Sequence, residues 1–310
     1  MSEIPIKTEG LTKRFGSLVA LAPLDLQVDA GEVLGYLGPN GAGKTTTIRL
    51  LLGLIRPSGG RASIFGCDTH TQTIAAHRRI AYVPGESSLW PGLTGAETLH
   101  LLGRIQGCVD AAYRDKLIAR FDFDPSKKVR AYSKGNRQKL SLIAALMTRA
   151  DLLLLDEPTA GLDPLMEQAF RESVLESKQA GQTVFLSSHI LSEVEAVCDR
   201  VAILRSGQVV ETGTLAEMRH LSAITVEAAF TGAPPDVSHL PGVKNVKVTG
   251  RQLRCQVQGT IEPLLKAAAT AGVTEFLSRE PSLEELFLAL YGEESRSNHD
   301  AAAGKASKSS

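Results

Sequence analysis

Residues Gly38-Pro39-Asn40-Gly41-Ala42-Gly43-Lys44-Thr45 place three glycines, a lysine and a hydroxyl in the pattern G-x-x-x-x-G-K-[ST]. The chemistry such a set can do is to hold phosphate. Glycines let the backbone curl so that its N–H groups point at phosphate oxygens. A helix starting at the loop's end adds the partial positive charge of its N-terminus. In this pattern Lys44 reaches the β- and γ-phosphates and Thr45, with Thr46 beside it, sets a hydroxyl on Mg²⁺. A glycine-rich turn that binds nothing would match the same letters. The apolar run Val33–Leu37 before the loop and the helical stretch Thr45–Leu52 after it favour the phosphate cradle.

A second chemical pair follows another apolar run. Leu152-Leu153-Leu154-Leu155 ends in Asp156-Glu157. In a parallel α/β sheet, ligands gather at the carboxyl ends of strands. Asp156 is then expected to hold Mg²⁺ through water, and Glu157 to orient or deprotonate an attacking water. Read alone, the pair could equally be a polar strand end before the turn at Pro158. The phosphate loop upstream favours the catalytic reading.

The elements that position these residues can be read in outline. Ile6 to Val28 reads as strands around a turn at Arg14–Ser17, and Arg61–Phe65, Ile80–Val83 and Thr183–Leu186 as further strands. Thr94 to about Arg120 is helix-like, as is the stretch after Ser133. Val201–Leu204 and Val209–Val210 form a terminal hairpin about Ser206-Gly207. Composition shifts near His220. Beyond it come strands Val246–Val248 and Leu253–Val257, a helix from about Glu262 to Ala271, and a short helix from Ser282 to Tyr291. The expected organisation is an α/β nucleotide-binding domain over residues 1–221, a small α/β appendage over 222–292, and a tail over 293–310 too poor in apolar residues to pack.

Bulk properties narrow the class. The 310 residues are 43% hydrophobic and 22% charged, with formal net charge zero. That is an ordinary globular composition without the basic surface of a nucleic-acid binder. Cys67, Cys108, Cys198 and Cys255 are scattered and form no C-x-x-C pair, so neither a metal site nor a disulfide framework is expected. The N-terminus lacks a signal-peptide pattern, and no apolar run approaches the ~20 residues that cross a bilayer. If the protein moves something through a membrane, another chain supplies the path.

Tyr132-Ser133-Lys134-Gly135-Asn136-Arg137-Gln138-Lys139 resembles the signature segment of ABC ATPases, LSGGQ followed by RQ. Ser133 and Gly135 match the phosphate-contacting Ser and the second Gly, whereas Tyr132, Lys134 and Asn136 depart from the consensus. Ser133 would also serve as a helix N-cap. Ala160-Gly161-Leu162-Asp163 resembles the family's D-loop, and His189 its switch histidine. Phe15 matches the aromatic that stacks on adenine, though a core aromatic of a hairpin is the alternative. The Q-loop departs: Tyr82-Val83-Pro84 is followed by Gly85 and Glu86 where Gln is usual. Gly85 has no side chain to hold metal or water; Glu86, one residue along, is one candidate substitute and a water molecule is the other.

The resemblance covers residues 4–220 and, with the segment at 281–287, points to ABC-2-type exporters of the antibiotic and multidrug efflux group. It implies a P-loop ABC fold with an N-terminal β subdomain and a helical subdomain, ATP and Mg²⁺ as ligands, and a head-to-tail homodimer around two ATP. It also implies a separate ABC-2-type permease docking near Ser87–Leu93, and a peripheral place on the cytoplasmic side of the membrane. Trp90 in that segment could instead anchor the helical subdomain. Lipid or polysaccharide export is the alternative cargo class. A translation or DNA-repair ATPase would differ in having two units or long coiled coils, and a GTPase would carry an NKxD tetrapeptide, which this sequence lacks.

Overall fold

In the computed structural model, β1 (Ile6–Phe15) and β2 (Leu18–Val28) pair antiparallel around the turn at Gly16-Ser17. β3 (Val33–Leu37), buried at every residue, runs through the glycine-rich loop into α1 (Lys44–Leu51). β4 (Gly59–Ile64) and β5 (Cys67–Asp68) join the first hairpin in a four-stranded sheet of order β2-β1-β4-β5. After α2 (Thr73–His77) comes β6 (Ile80–Val83). The expected helical stretch to Arg120 is two helices, α3 (Gly95–Gln106) and α4 (Ala111–Arg120). It breaks because Gly107 turns left-handed at φ 78° and Asp110 then caps the second helix by accepting the Tyr113 N–H. Ser133 caps α5 (Lys134–Leu146) in the same way.

The remainder of this unit alternates strand and helix. β7 (Leu152–Asp156), α6 (Pro164–Gln179), β8 (Thr183–Ser188), α7 (Leu191–Val197), β9 (Arg200–Arg205) and β10 (Gln208–Thr214) follow in turn. Helices α6 and α7 go beyond the sequence expectation. The central sheet has the order β10-β9-β3-β8-β7-β6, and β9, β3, β8, β7 and β6 run parallel. Strands β3, β7 and β8 are buried throughout, as strands covered on both faces are. The register sets Leu37 beside Ser188 and Asp156 beside Ser187, so three carboxyl ends finish level on one edge. Tyr36 and Phe185 lie in the core beneath that edge, fully buried, with ring centroids 5.1 Å apart.

The structure describes residues 3–107, 109–220 and 224–279. They divide into two compact units, one up to Gly213 and the other from Thr214. The second unit holds α8 (Leu215–His220), β11 (Ile224–Phe230), β12 (Val243–Thr249), β13 (Gln252–Val257), α9 (Glu262–Thr270) and β14 (Val273–Arg279). Its sheet is antiparallel in the order β12-β13-β11-β14. Leu264 and Ala268 of α9 share a separate core with Val226, Phe230, Leu253 and Val257. The boundary expected at 221/222, the short helix Ser282–Tyr291 with the segment at 281–287, Cys108 and the tail at 293–310 lie outside the described residues. Cys67, Cys198 and Cys255 are free thiols.

The Tyr36–Phe185 contact packs beneath the edge where the three carboxyl ends finish level. Phe185→Ala should cost about 3–5 kcal/mol of unfolding free energy, measured by denaturant titration. A cost below about 1 kcal/mol would mean the core closes around the gap.

Candidate functional site

The glycine-rich loop is packed too tightly to admit side chains at two places. Gly43 has φ 110°, and a Cβ there would sit 2.6 Å from the Ala20 carbonyl oxygen. A Cβ on Gly38 would meet the Leu204 carbonyl oxygen at 2.5 Å. The turn Ser206-Gly207 stitches the loop down: the Gly207 N–H donates to the Ala42 carbonyl at 2.8 Å, and its own carbonyl accepts from the Ala22 N–H at 2.7 Å. Inside the curl, Lys44 is 4% exposed and its Nζ donates to the carbonyls of Gly38 and Pro39 at 2.7 and 3.2 Å. The first N–H groups of α1 have no intrahelical acceptor, as at any helix start.

The acidic pair stands opposite. Glu157 has φ 46°, a left-handed conformation uncommon for a residue with a side chain. Its N–H donates to Ser187, to the carbonyl at 3.1 Å and to Oγ at 3.2 Å. Its carboxylate bridges two groups: Oε1 lies 3.1 Å from Lys44 Nζ, and Oε2 lies 3.3 Å from His189 Nδ1. Asp156 is 2% exposed and accepts from Ser187 Oγ at 2.7 Å. Burial, with the nearby Asp156 carboxylate, pushes the Tyr82 hydroxyl up to about 12. Behind His189, burial raises the Glu193 carboxyl, which accepts from Ser188 Oγ at 2.8 Å.

An open cleft of about 530 Å³ joins the loop to Glu157, while Asp156 and His189 are not among its lining residues. Asn40, Gly41, Gly43, Lys44, Thr45, Thr46 and Glu157 line it, and so does Phe15, which is 51% exposed. Val19, Ala20, Ser206 and Gly207 line it too, and nothing in their sequence pattern marks them beyond a turn. Ser187, bonded to both acidic residues, is likewise unmarked. Glu86 is exposed and is not among the lining residues. The position that approaches the acidic pair is Gly85, where a Cβ would lie 3.3 Å from the Asp156 carbonyl oxygen.

Ser133, Gly135 and Asp163 also stand outside the cleft. Ser133 Oγ accepts the Asn136 N–H at 3.2 Å, and Asp163 caps α6 by accepting the Met166 N–H at 3.0 Å. Gly135 packs on the loop before α6, where a Cβ would meet the Gly161 carbonyl oxygen at 2.7 Å. A second cavity, of about 370 Å³, is lined by Leu54, Tyr82, Leu89, Trp90 and Ile105 among others. Trp90 is 48% exposed, so it is not a buried anchor. No helix among the described residues is long and apolar enough to cross a membrane.

Three comparisons bear on this arrangement. Residues 21–160 match the family model described as ABC transporter. A daunorubicin resistance ATP-binding protein of Streptomyces coeruleorubidus is 36% identical over 312 residues, covering 96% of this chain and 98% of that protein. A Nod factor export ATP-binding protein of Cupriavidus pinatubonensis is 33% identical, covering 92% and 90%. A solved ATP-binding subunit of an ABC transporter superposes with TM-score 0.65 at 34% identity, covering 69% of this chain and 91% of that one.

Lys44→Ala removes the buried cation of the loop, a charge-assisted contact worth roughly 1.5–3 kcal/mol. Calorimetric titration with a non-hydrolysable ATP analogue should show affinity lowered by roughly 10- to 100-fold. Unchanged affinity would mean that the loop is not a phosphate cradle.

Proposed function

Since this chain belongs to the ABC transporter family, as an ATP-binding subunit whose ATP hydrolysis is coupled to transport, we propose that it powers efflux of a hydrophobic, antibiotic-like molecule through a separate ABC-2-type permease. The observation that carries the mechanism is the Glu157 carboxylate held between Lys44 and His189 at the cleft. In the proposed reading the loop N–H groups and Lys44 offset phosphate charge, and Phe15 stacks on adenine from the cleft's rim. Glu157 prepares the attacking water and His189 holds the γ-phosphate. Catalysis then rests on positioning and charge stabilisation.

The donors present suit Mg²⁺. Thr45 offers a hydroxyl and Asp156 a carboxylate, both hard oxygen ligands. Mg²⁺ at phosphate-binding sites is usually held by one or two carboxylates together with substrate phosphates rather than by a protein cage. Thr45 and Asp156 would hold the ion, which when bound would neutralise phosphate charge.

In the proposed head-to-tail homodimer, Ser133, Gly135 and Asp163, which do not line this chain's own cleft, face the partner's nucleotide. The cavity beside Leu89 and Trp90 offers half-exposed apolar groups in the segment expected to meet the permease, and such a partner places the chain on the cytoplasmic face of the membrane. The drug resistance relative supports an antibiotic-like cargo.

Co-expressed with its permease in a drug-sensitive host, the wild-type chain should lower cellular accumulation of a fluorescent anthracycline. The Glu157→Gln chain, which keeps the side chain's shape and loses the base, should not. Equal accumulation in both strains would remove the drug reading and favour a lipid or polysaccharide cargo.

A further inference from the structure

Gln138 lies on α5 and is 3% exposed, so its amide must find partners inside the protein. It finds one at each end. Nε2 donates to the Pro158 carbonyl at 3.0 Å, and Oε1 accepts from Ser87 Oγ at 2.9 Å. Ser87 Oγ in turn accepts from Ser141 Oγ at 2.8 Å. A carbonyl oxygen only accepts, which fixes the amide with its nitrogen toward Pro158. The donors therefore run one way, from Ser141 to Ser87 to Gln138 to Pro158.

Both ends of this chain are informative. Pro158 directly follows Glu157, whose left-handed backbone is held on its other side by Ser187. Ser87 opens the 87–93 segment, two residues after Gly85 backs onto Asp156. Gly85 has no side chain with which to reach the cleft, so the polar connection from this loop to the acidic pair passes through α5. Gln138 sits on the same helix as Ser133, five residues further on.

We propose that Gln138 is a positioning residue for Glu157, and that the Ser141–Ser87–Gln138–Pro158 chain carries the position of the 87–93 loop to the carboxylate. The proposal rests on the reading of Glu157 as the group that prepares water. A movement of the loop tilts the Gln138 amide, and the Pro158 carbonyl follows, with Glu157 the residue before it. Coupling of this kind travels through contiguous hydrogen-bond networks. Misplacement of a reacting group by about 1 Å is enough to cost on the order of 100-fold in rate.

Steady-state ATPase of the purified full chain tests this. Gln138→Leu keeps the side chain's bulk and removes both bonds. It should lower kcat about 10-fold or more and leave KM for ATP within about twofold. Ser87→Ala cuts only the loop end and should lower kcat by about threefold, again at constant KM. Combined with Glu157→Gln, Gln138→Leu should cause no further loss, because its effect acts through the carboxylate it positions. Full kcat in Gln138→Leu beside an inactive Glu157→Gln overturns the proposal and leaves the Glu157 reading standing. So does an equal loss in both backgrounds, which is the mark of general damage. Near-normal turnover in Glu157→Gln instead removes the reading beneath it. If Gln138→Leu does not fold, Gln138→Glu, which lacks the donor to Pro158, takes its place. Unchanged kcat in Ser87→Ala overturns the link to the loop.

Discussion

Glu157 stands in a left-handed backbone conformation with its carboxylate between the Lys44 ammonium and the His189 ring. Such a conformation costs energy and persists only where the surroundings over-determine it. Here they do. Ser187 takes the Glu157 N–H, Gln138 holds the next carbonyl, and the two neighbours reach the carboxylate from the start of α1 and from the residue after β8. The parallel register makes this geometry reachable, since β3, β7 and β8 end level and deliver Lys44, Glu157 and His189 to one edge. The apolar runs beneath that edge serve the same end, because a strand covered on both faces cannot slip without burying its polar end.

The phosphate loop depends on a different constraint, close backbone approach. Gly38 and Gly43 lie against the carbonyls of Leu204 and Ala20, so the loop is clamped between β9 and β2 rather than free-standing. The Ser206-Gly207 turn completes the clamp and forms part of the cleft wall. Phe15 reaches the same cleft from the hairpin of the first sheet. Two sheets therefore meet at the site, one bringing the expected phosphate and water chemistry and the other the aromatic surface.

Legibility in the sequence followed the range of the interactions. The phosphate loop is a local backbone feature, and its letters state it directly. Strands β3, β7 and β8 are built on the apolar runs Val33–Leu37, Leu152–Leu155 and Val184–Leu186 and stand out for that reason. Helix α6 was hidden because its buried face mixes Met166, Phe170 and Val174 with Ser173 and Ser177, which dilutes the apolar period. β14 gives no alternation, with burial at neither every second nor every residue. Ser187 and Gln138 matter through partners 31 and 20 residues away, and no spacing rule reaches that far. Glu86, the candidate for the vacant Q-loop position, is exposed, while the adjacent Gly85 approaches Asp156. One residue of offset along a loop decides which side chain faces the site.

The central proposal is that a working site needs two chains, with Ser133 and Gly135 of one facing the phosphate loop of the other. Mixing tests it most directly. Ser133→Arg puts bulk and charge at the start of α5, and Lys44→Ala empties the phosphate loop. Each variant alone should form no complete site and hydrolyse no ATP. A heterodimer of the two has one site with both lesions and one with neither, so ATPase activity should return when the inactive preparations are mixed. Full hydrolysis by dilute, monomeric Ser133→Arg would contradict the account, because it would show that one chain suffices.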